Sequence, residues 1–496
     1  MAHRSSTQVL VLAVATAFLL ATATFAHALA EPDLIAAVRT GDLAAARDLI
    51  AADADPDDPQ GDGATALHWA AHRGDVEAAA LLIEAGADVN AANALGATPL
   101  WLAAGHGSAP VVGILLEAGA NPNVTLRMGE TPLMSAARSG NLRVVEMLVD
   151  HGAAANAVEY ERHQTALMWA AAQQHADVVR LLAARGANVH ARTRVWDQLE
   201  NTAGNTNTSG NFRKNHGGST ALLFAARNGD VETARARVAA GADVDDVAAA
   251  GTSALGIAAH SGHGPLGVYL LEQGADPNAA DAGYTALHAA TLRSQTELAA
   301  ALLEHGADVD AIVERGTPGR RFSADFSIRH QAVGANAFWL AARYGELEIL
   351  RMLAERGADP RVSPSSRWSA LKAAMGVPQI SQEDRRNRVD APDDHMDRID
   401  QERLTLDLAR TILDLGVDVN QADDRGNTAL HDAVRTGFAS VVDLLAAQGA
   451  DLDAFNDRGQ TPLVLAETSL PVIGSNGLRS TQPEIAARLR ELGADE

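Results

Sequence analysis

One phrase recurs along this chain at a fixed step, and that step limits the fold more than any other feature of the sequence. Thr-Ala/Pro-Leu opens at Thr65, Thr98, Thr131, Thr165, Thr220, Thr285, Thr428 and Thr461, with Ser253, Asn336 and Ser369 as variants. An Ala-rich turn follows each opening. A Gly-Ala-Asp-x-Asn-like phrase comes next, as in Gly86-Ala87-Asp88-Val89-Asn90 or Gly274-Ala275-Asp276-Pro277-Asn278. The opening residue and this Gly lie 21 positions apart in nine of eleven cases, and usually 12 more reach the next opening, giving a period of 33 residues. A unit of that size cannot bury its own apolar faces, so the period implies units stacked on one another.

Within a unit, Thr65 suits a helix N-cap, and Pro99, Pro132 and Pro462 suit a first helical turn. Gly74, Gly107 and Gly140 are placed to end that helix. Val76 to Glu84 reads as an apolar-periodic second helix closed by Gly86, and Asp88 to Ala97 as a turn or finger. The pattern resembles the ankyrin repeat, with its period of about 33 residues and its T-P-L-H-x-A signature. That resemblance implies an all-α solenoid of stacked helix-turn-helix units with hairpin fingers. Running the frame backward puts Pro32, Leu34 and Gly41 at repeat positions, and Gly493-Ala494-Asp495 completes a repeat at the other end. About twelve repeats are therefore expected over 31–496, with insertions near 191–218, 311–334, 376–403 and 469–482, and with no room for a separate enzymatic domain.

Composition narrows the function. The net charge is −23, from 63 acidic against 40 basic residues, so a phosphate-binding surface and hence nucleic acid are not expected. With no cysteine, disulfides, thiolate metal sites and thiol nucleophiles are excluded. Lys214 and Lys372 are the two lysines, and neither follows a Gly-rich phosphate loop. Residues 1–30 have the layout of a secretory signal: His3 and Arg4, an uncharged run over residues 9–26, then Ala28-Leu29-Ala30. Cleavage after Ala30 would leave no stable membrane span; an uncleaved N-terminal anchor is the alternative. The Ala-rich, Arg-over-Lys composition points to a bacterial exported protein, in the periplasm first and outside the cell second.

The insertions carry the individuality. Residues 191–218 and 311–334 extend the fingers, and each has a charge balance of +2 on an acidic chain. They also hold aromatics, and Arg with aromatics is the composition enriched at binding hot spots. Trp196, Phe212, Arg213 and Lys214 in the first, with Arg320, Arg321, Phe322 and Phe326 in the second, are the candidate partner-binding residues. The competing reading has the aromatics folded back onto the stack and the arginines solvated. The insertion at 376–403 is acidic. Its run from Asp390 to Asp400 lacks the D-x-[DN]-x-[DN]-G order of a calcium loop and reads as a solvated loop.

No catalytic phrase emerges. His68 and His72 have metal-ligand spacing, but Trp69 stands where a metalloprotease has Glu, and His68, His288 and His431 occupy the family's T-x-L-H step, where a histidine supports neighbouring turns. The pairs around His106 and His260-Ser261-Gly262-His263 lack a third ligand. A column seven residues after each opening, His72, Arg138, Arg227, His260, Arg343 and Arg435, reads either as cations against helix C-termini or as a basic stripe for an acidic partner. The sequence therefore points to a non-catalytic, monomeric scaffold without metal or cofactor. It would bind a protein partner, one with an acidic patch, through a concave face and the finger insertions. The alternatives are a secreted effector acting on a host protein and a small-ligand or metal-binding protein.

Overall fold

The computed structural model describes residues 33–201, 211–316, 328, 332–364, 368–376, 397–468, 470–471 and 479–495. The signal segment expected over residues 1–30 lies outside them. The described residues hold 24 helices in consecutive pairs, one pair per repeat. None of these helices is long and apolar enough to cross a membrane. The chain divides into two compact units, one reaching Arg127 and the other starting at Met128, with Asp150–Gly152 grouped with the first. The first contains the helix pairs at 34–51, 66–84 and 99–117; the second contains the pairs from 132 onward.

Each pair forms for the reasons its residues supply. Thr98 Oγ1 accepts from the Trp101 amide at 3.3 Å, and Pro99 occupies the first turn, where its missing N–H costs nothing. Gly107 ends that helix with φ +73°, a conformation other residues reach only at a cost. In ten of the pairs the second helix buries a leucine or isoleucine four residues before the closing Gly. Leu82 and Leu115 hold the position in the first unit; Leu148, Leu182, Leu270, Leu302, Leu353, Ile412, Leu445 and Leu489 hold it in the second, all buried. Small alanines on the first helices, such as Ala258, Ala259, Ala289 and Ala290, let successive layers approach closely.

Where the Gly-Ala-Asp-x-Asn phrase ends in Asn, that residue ties its finger to the next layer. Asn278 Nδ2 donates to the Gly306 carbonyl at 3.0 Å, and its Oδ1 accepts from the Asp308 amide at 2.7 Å. Asn420 repeats the pattern with Gly449 and Asp451 at 3.0 and 2.7 Å. Both bonds satisfy backbone groups at a helix end that packing leaves open.

The insertions take different forms. Within 191–218, strand β1 (Val195–Asn201) pairs antiparallel with β2 (Asn211–Gly217), so this finger is a β-hairpin on an otherwise helical scaffold. Of 311–334, the described residues form the root, where Val313 donates to Ala335 at 2.9 Å and Gly334 donates to Val313 at 2.7 Å. Within the insertion placed at 376–403, the described residues from 397 onward belong to helix Arg398–Asp414, started by Asp397, whose carboxylate accepts from the Asp400 amide at 2.9 Å. Near 469–482, Leu470–Pro471 pairs with Arg479–Ser480.

The Asn ties carry a measurable share of stability. Asn278→Ala removes both bonds across one layer and is expected to lower unfolding free energy by about 1 kcal/mol in urea titration, with no change in helix content by circular dichroism.

Candidate partner-binding surface

The hairpin is held at its root by neighbouring fingers. Arg194 donates its amide to the Arg162 carbonyl at 2.7 Å, and Ala249 donates to the Gly217 carbonyl at 3.0 Å. One finger earlier, the Tyr160 amide donates to Met128 at 2.8 Å, and the Tyr160 ring lies over Gly129, where an added Cβ would stand 2.8 Å from it. Gly217 is also obligatory: at φ +81°, a Cβ there would come within 1.9 Å of the Arg194 carbonyl oxygen.

The register decides which candidate residues meet. Trp196 is opposite His216, Gln198 opposite Lys214, and Leu199 opposite Arg213. Because successive strand residues face opposite ways, Trp196 and Lys214 lie on one face and Arg213 lies on the other, with Val195 and Leu199. Trp196 is 44% exposed and stacks on His216, with ring centroids 5.7 Å apart and planes at 18°. Arg213 pairs with Asp197 on its own face, which offsets part of the basic excess. Phe212 is opposite Glu200 in the register. Arg320, Arg321, Phe322 and Phe326 lie outside the described residues, as does most of the acidic run from Asp390 to Asp400.

Sequence reasoning that looked for arginine and aromatics missed the aliphatic part of this surface. Leu199 is 60% exposed, and Val195, Val158, Tyr160 and Met128 are also exposed on the same succession of fingers. The signal was present in the period-2 alternation of Val195, Asp197 and Leu199, which puts two apolar side chains on one strand face.

The helix pairs, the finger ties and the 33-residue step together are those of one repeat family. A family model described as ankyrin repeats (3 copies) matches residues 34–126, 121–193, 205–281, 222–313, 280–363 and 401–474, which is most of the chain. The chain belongs to the ankyrin-repeat family. A stretch of 141 residues is 33% identical to the neurogenic locus notch homolog protein 1 of Homo sapiens, covering 27% of this chain and 6% of that protein. The Xenopus tropicalis protein of the same name is 34% identical over 141 residues, again 27% of this chain and 6% of that protein. The potassium channel AKT1 of Oryza sativa subsp. indica is 42% identical over 66 residues, covering 13% of this chain and 7% of the channel. The similarity thus spans a small fraction of these relatives.

The ankyrin histidines have the supporting geometry that the resemblance implies. His68 Nδ1 accepts from the Thr65 amide at 3.0 Å, and its Nε2 donates to the Ala97 carbonyl of the next repeat at 3.0 Å. His288 and His431 do the same toward Ala311 and Gln460 at 2.9 and 3.1 Å. His72 is instead turned to His106, at 2.8 Å between Nδ1 and Nε2, so it does not join His68 as a ligand pair. Among the described residues no group of three or more His, Asp or Glu is placed to hold a metal ion.

Lys372 stands at the step where those histidines stand. It is 1% exposed, and its Nζ reaches Asp432 Oδ2 at 2.5 Å, Asp423 Oδ2 at 3.4 Å and the Thr428 carbonyl at 3.4 Å. That fixed ion pair makes it a bridge between layers. The column of cations is likewise engaged by the following repeat. The Arg138 guanidinium lies 5.2 Å from the Trp169 ring centre, and Arg343 lies 5.4 Å from Trp368 while donating to Gly376 at 2.8 Å. Helix C-termini and aromatic faces therefore account for much of the apparent basic stripe.

Two outcomes are expected. Burial pushes the His288 pKa down to about 4, against 6.5 when unfolded. The unfolded chain therefore binds the proton first, so stability is full above pH 6.5 and falls as pH drops from 6.5 toward 4. His288→Gln should flatten that slope in urea titrations across the range, while removing His72 should leave most of it. Lys372→Ala strands two carboxylates beside a buried void and should cost about 3 kcal/mol, with Lys372→His costing clearly less.

Proposed function

We propose that this ankyrin array is a non-catalytic scaffold that binds a protein partner along its fingers, with the β-hairpin at 195–217 as the principal contact. One observation carries this reading: the hairpin exposes Val195, Trp196 and Leu199 beside Arg194, Arg213 and Lys214, on a chain whose net charge is −23. Solvent-facing strands normally carry polar side chains, and an exposed aromatic with aliphatics on a rooted, two-stranded platform is costly without a partner. The local basic balance favours an acidic protein surface, and electrostatic attraction of this kind acts mainly on association rate.

The layout of residues 1–30 supports export, with the periplasm as the working compartment. Family membership supports protein recognition. This reading leaves the insertion at 311–334 as a second basic finger that would widen the same contact.

The test is capture from the native exported fraction by the intact mature protein and by a folded variant with Trp196, Arg213, Lys214, Arg320, Arg321 and Phe322 all changed to Ala. A partner retained by the first and lost by the second is the expected result, with retention weakening as salt rises from 50 to 300 mM, about a 2.4-fold fall in screening length. Equal recovery with both proteins would move the contact off the fingers.

A further inference from the structure

The layer beneath the hairpin breaks the packing rule followed by the other repeats. Four residues before the closing Gly, where ten repeats bury Leu or Ile, helix Val231–Ala239 places Arg237. Eight residues before it, where the other second helices bury Ala78, Val111, Val144, Val178, Leu266 and their counterparts, the same helix places Thr233. Both are 0% exposed. Spaced i, i+4, they share one helical face, the face that packs on neighbouring layers.

This face is incompletely satisfied. Arg237 donates through Nη2 to the Val189 carbonyl at the base of the preceding finger, and the Asp246 carboxylate lies close enough to favour its charge. Its Nε and Nη1, Thr233 Oγ1 and Asp246 Oδ2 find no hydrogen-bond partner among the described residues. Burial lowers the guanidinium pKa to about 10, so it stays charged at neutral pH. A buried charge with unpaired donors costs free energy that an aliphatic side chain of similar size would not.

The same cluster anchors the finger. Asp246 accepts from Arg192 Nη2 at 2.5 Å, and Arg192 Nη1 donates to Gly218 at 2.9 Å and Val247 at 2.7 Å. Arg192 and Gly218 are the two sides of the hairpin root, and Val189 is three residues upstream. The polar face of one helix is thus wired to both legs of the protruding strands.

We propose that helix Val231–Ala239 is a yielding layer built into the array: Arg237 replaces a core leucine to tie down the hairpin root, so this layer opens before its neighbours and the set of the hairpin follows it. In a stack where each repeat leans only on adjacent ones, a weak layer opens locally without unfolding the rest. The replacement is specific, because a packing defect alone would not direct its one firm donor at Val189 and its counter-charge at Asp246.

Hydrogen exchange on the full mature protein tests this. Amides of 231–239 are expected to exchange at least tenfold faster than those of Thr296–Glu304, the equivalent helix two repeats on. Arg237→Leu should slow exchange in 231–239 at least tenfold and raise the Tm, while exchange quickens at 189–194 and 217–219. Thr233→Val, which leaves the tie intact, should slow 231–239 and leave the root unchanged. Equal protection of the two helices in the unmodified protein would overturn the proposal. So would a lower Tm for Arg237→Leu, or a hairpin root indifferent to that change.

Discussion

No repeat in this chain can bury its own apolar surface, and everything else follows from that constraint. In ten of the repeats the second helix buries a leucine or isoleucine at one fixed position, and the first helices present alanines small enough for the next layer to approach. Burial of one such leucine contributes about 2 kcal/mol, but only when the adjacent layer is in place. Stability is therefore a sum over interfaces between neighbours, and the polar groups at each interface decide how well successive layers register.

Two polar devices set that register. One is the finger asparagine, which gives and receives a hydrogen bond across the layer boundary. The other is an N–H donor on the first helix that reaches the backbone of the next repeat. His68, His288 and His431 fill this second role, and so does Trp339, whose Nε1 donates to the Trp368 carbonyl at 2.5 Å. The neutral histidine is the natural choice because it accepts at Nδ1 from its own cap and donates at Nε2 across the gap. Protonation would turn the accepting nitrogen against the Thr amide, and burial, which outweighs the carbonyl bonds that favour the charge, holds the pKa of His68 and His288 below the ordinary histidine value.

The architecture was legible in the sequence because it rests on repetition, and repetition is visible without any knowledge of contacts. Cap threonines, closing glycines and the leucine column all recur at one step. The candidate surface was legible only in part. Trp196 and Arg213 are near in sequence and alike in composition to a hot spot, yet strand alternation sends them to opposite faces, and the pairing of Arg213 with Asp197 follows from a register that composition does not contain. Leu199 and Val195 were overlooked because a search for arginine and aromatics weighs aliphatics lightly. The tie made by Asn278 was hidden for a different reason: its two partners are 28 and 30 residues away, beyond any local motif.

Several of the departures from the repeat pattern lie beside the insertions. Thr233 and Arg237 occupy the repeat that follows the insertion at 191–218. Asn336 and Trp339 open the repeat that follows 311–334, and there Asn336 Nδ2 reaches Asp310 Oδ1 and the Asp359 carbonyl at 3.2 and 3.1 Å. Lys372 belongs to the repeat interrupted at 376–403, and its partners are 51 and 60 residues away. An insertion lengthens or redirects the chain where a layer would normally find its partner, so the layer needs side chains with longer reach or more donors. Arg, Trp and Lys supply these, at a cost in packing that a uniform array would not incur. At these three layers the altered core positions are thus the structural counterpart of the insertions.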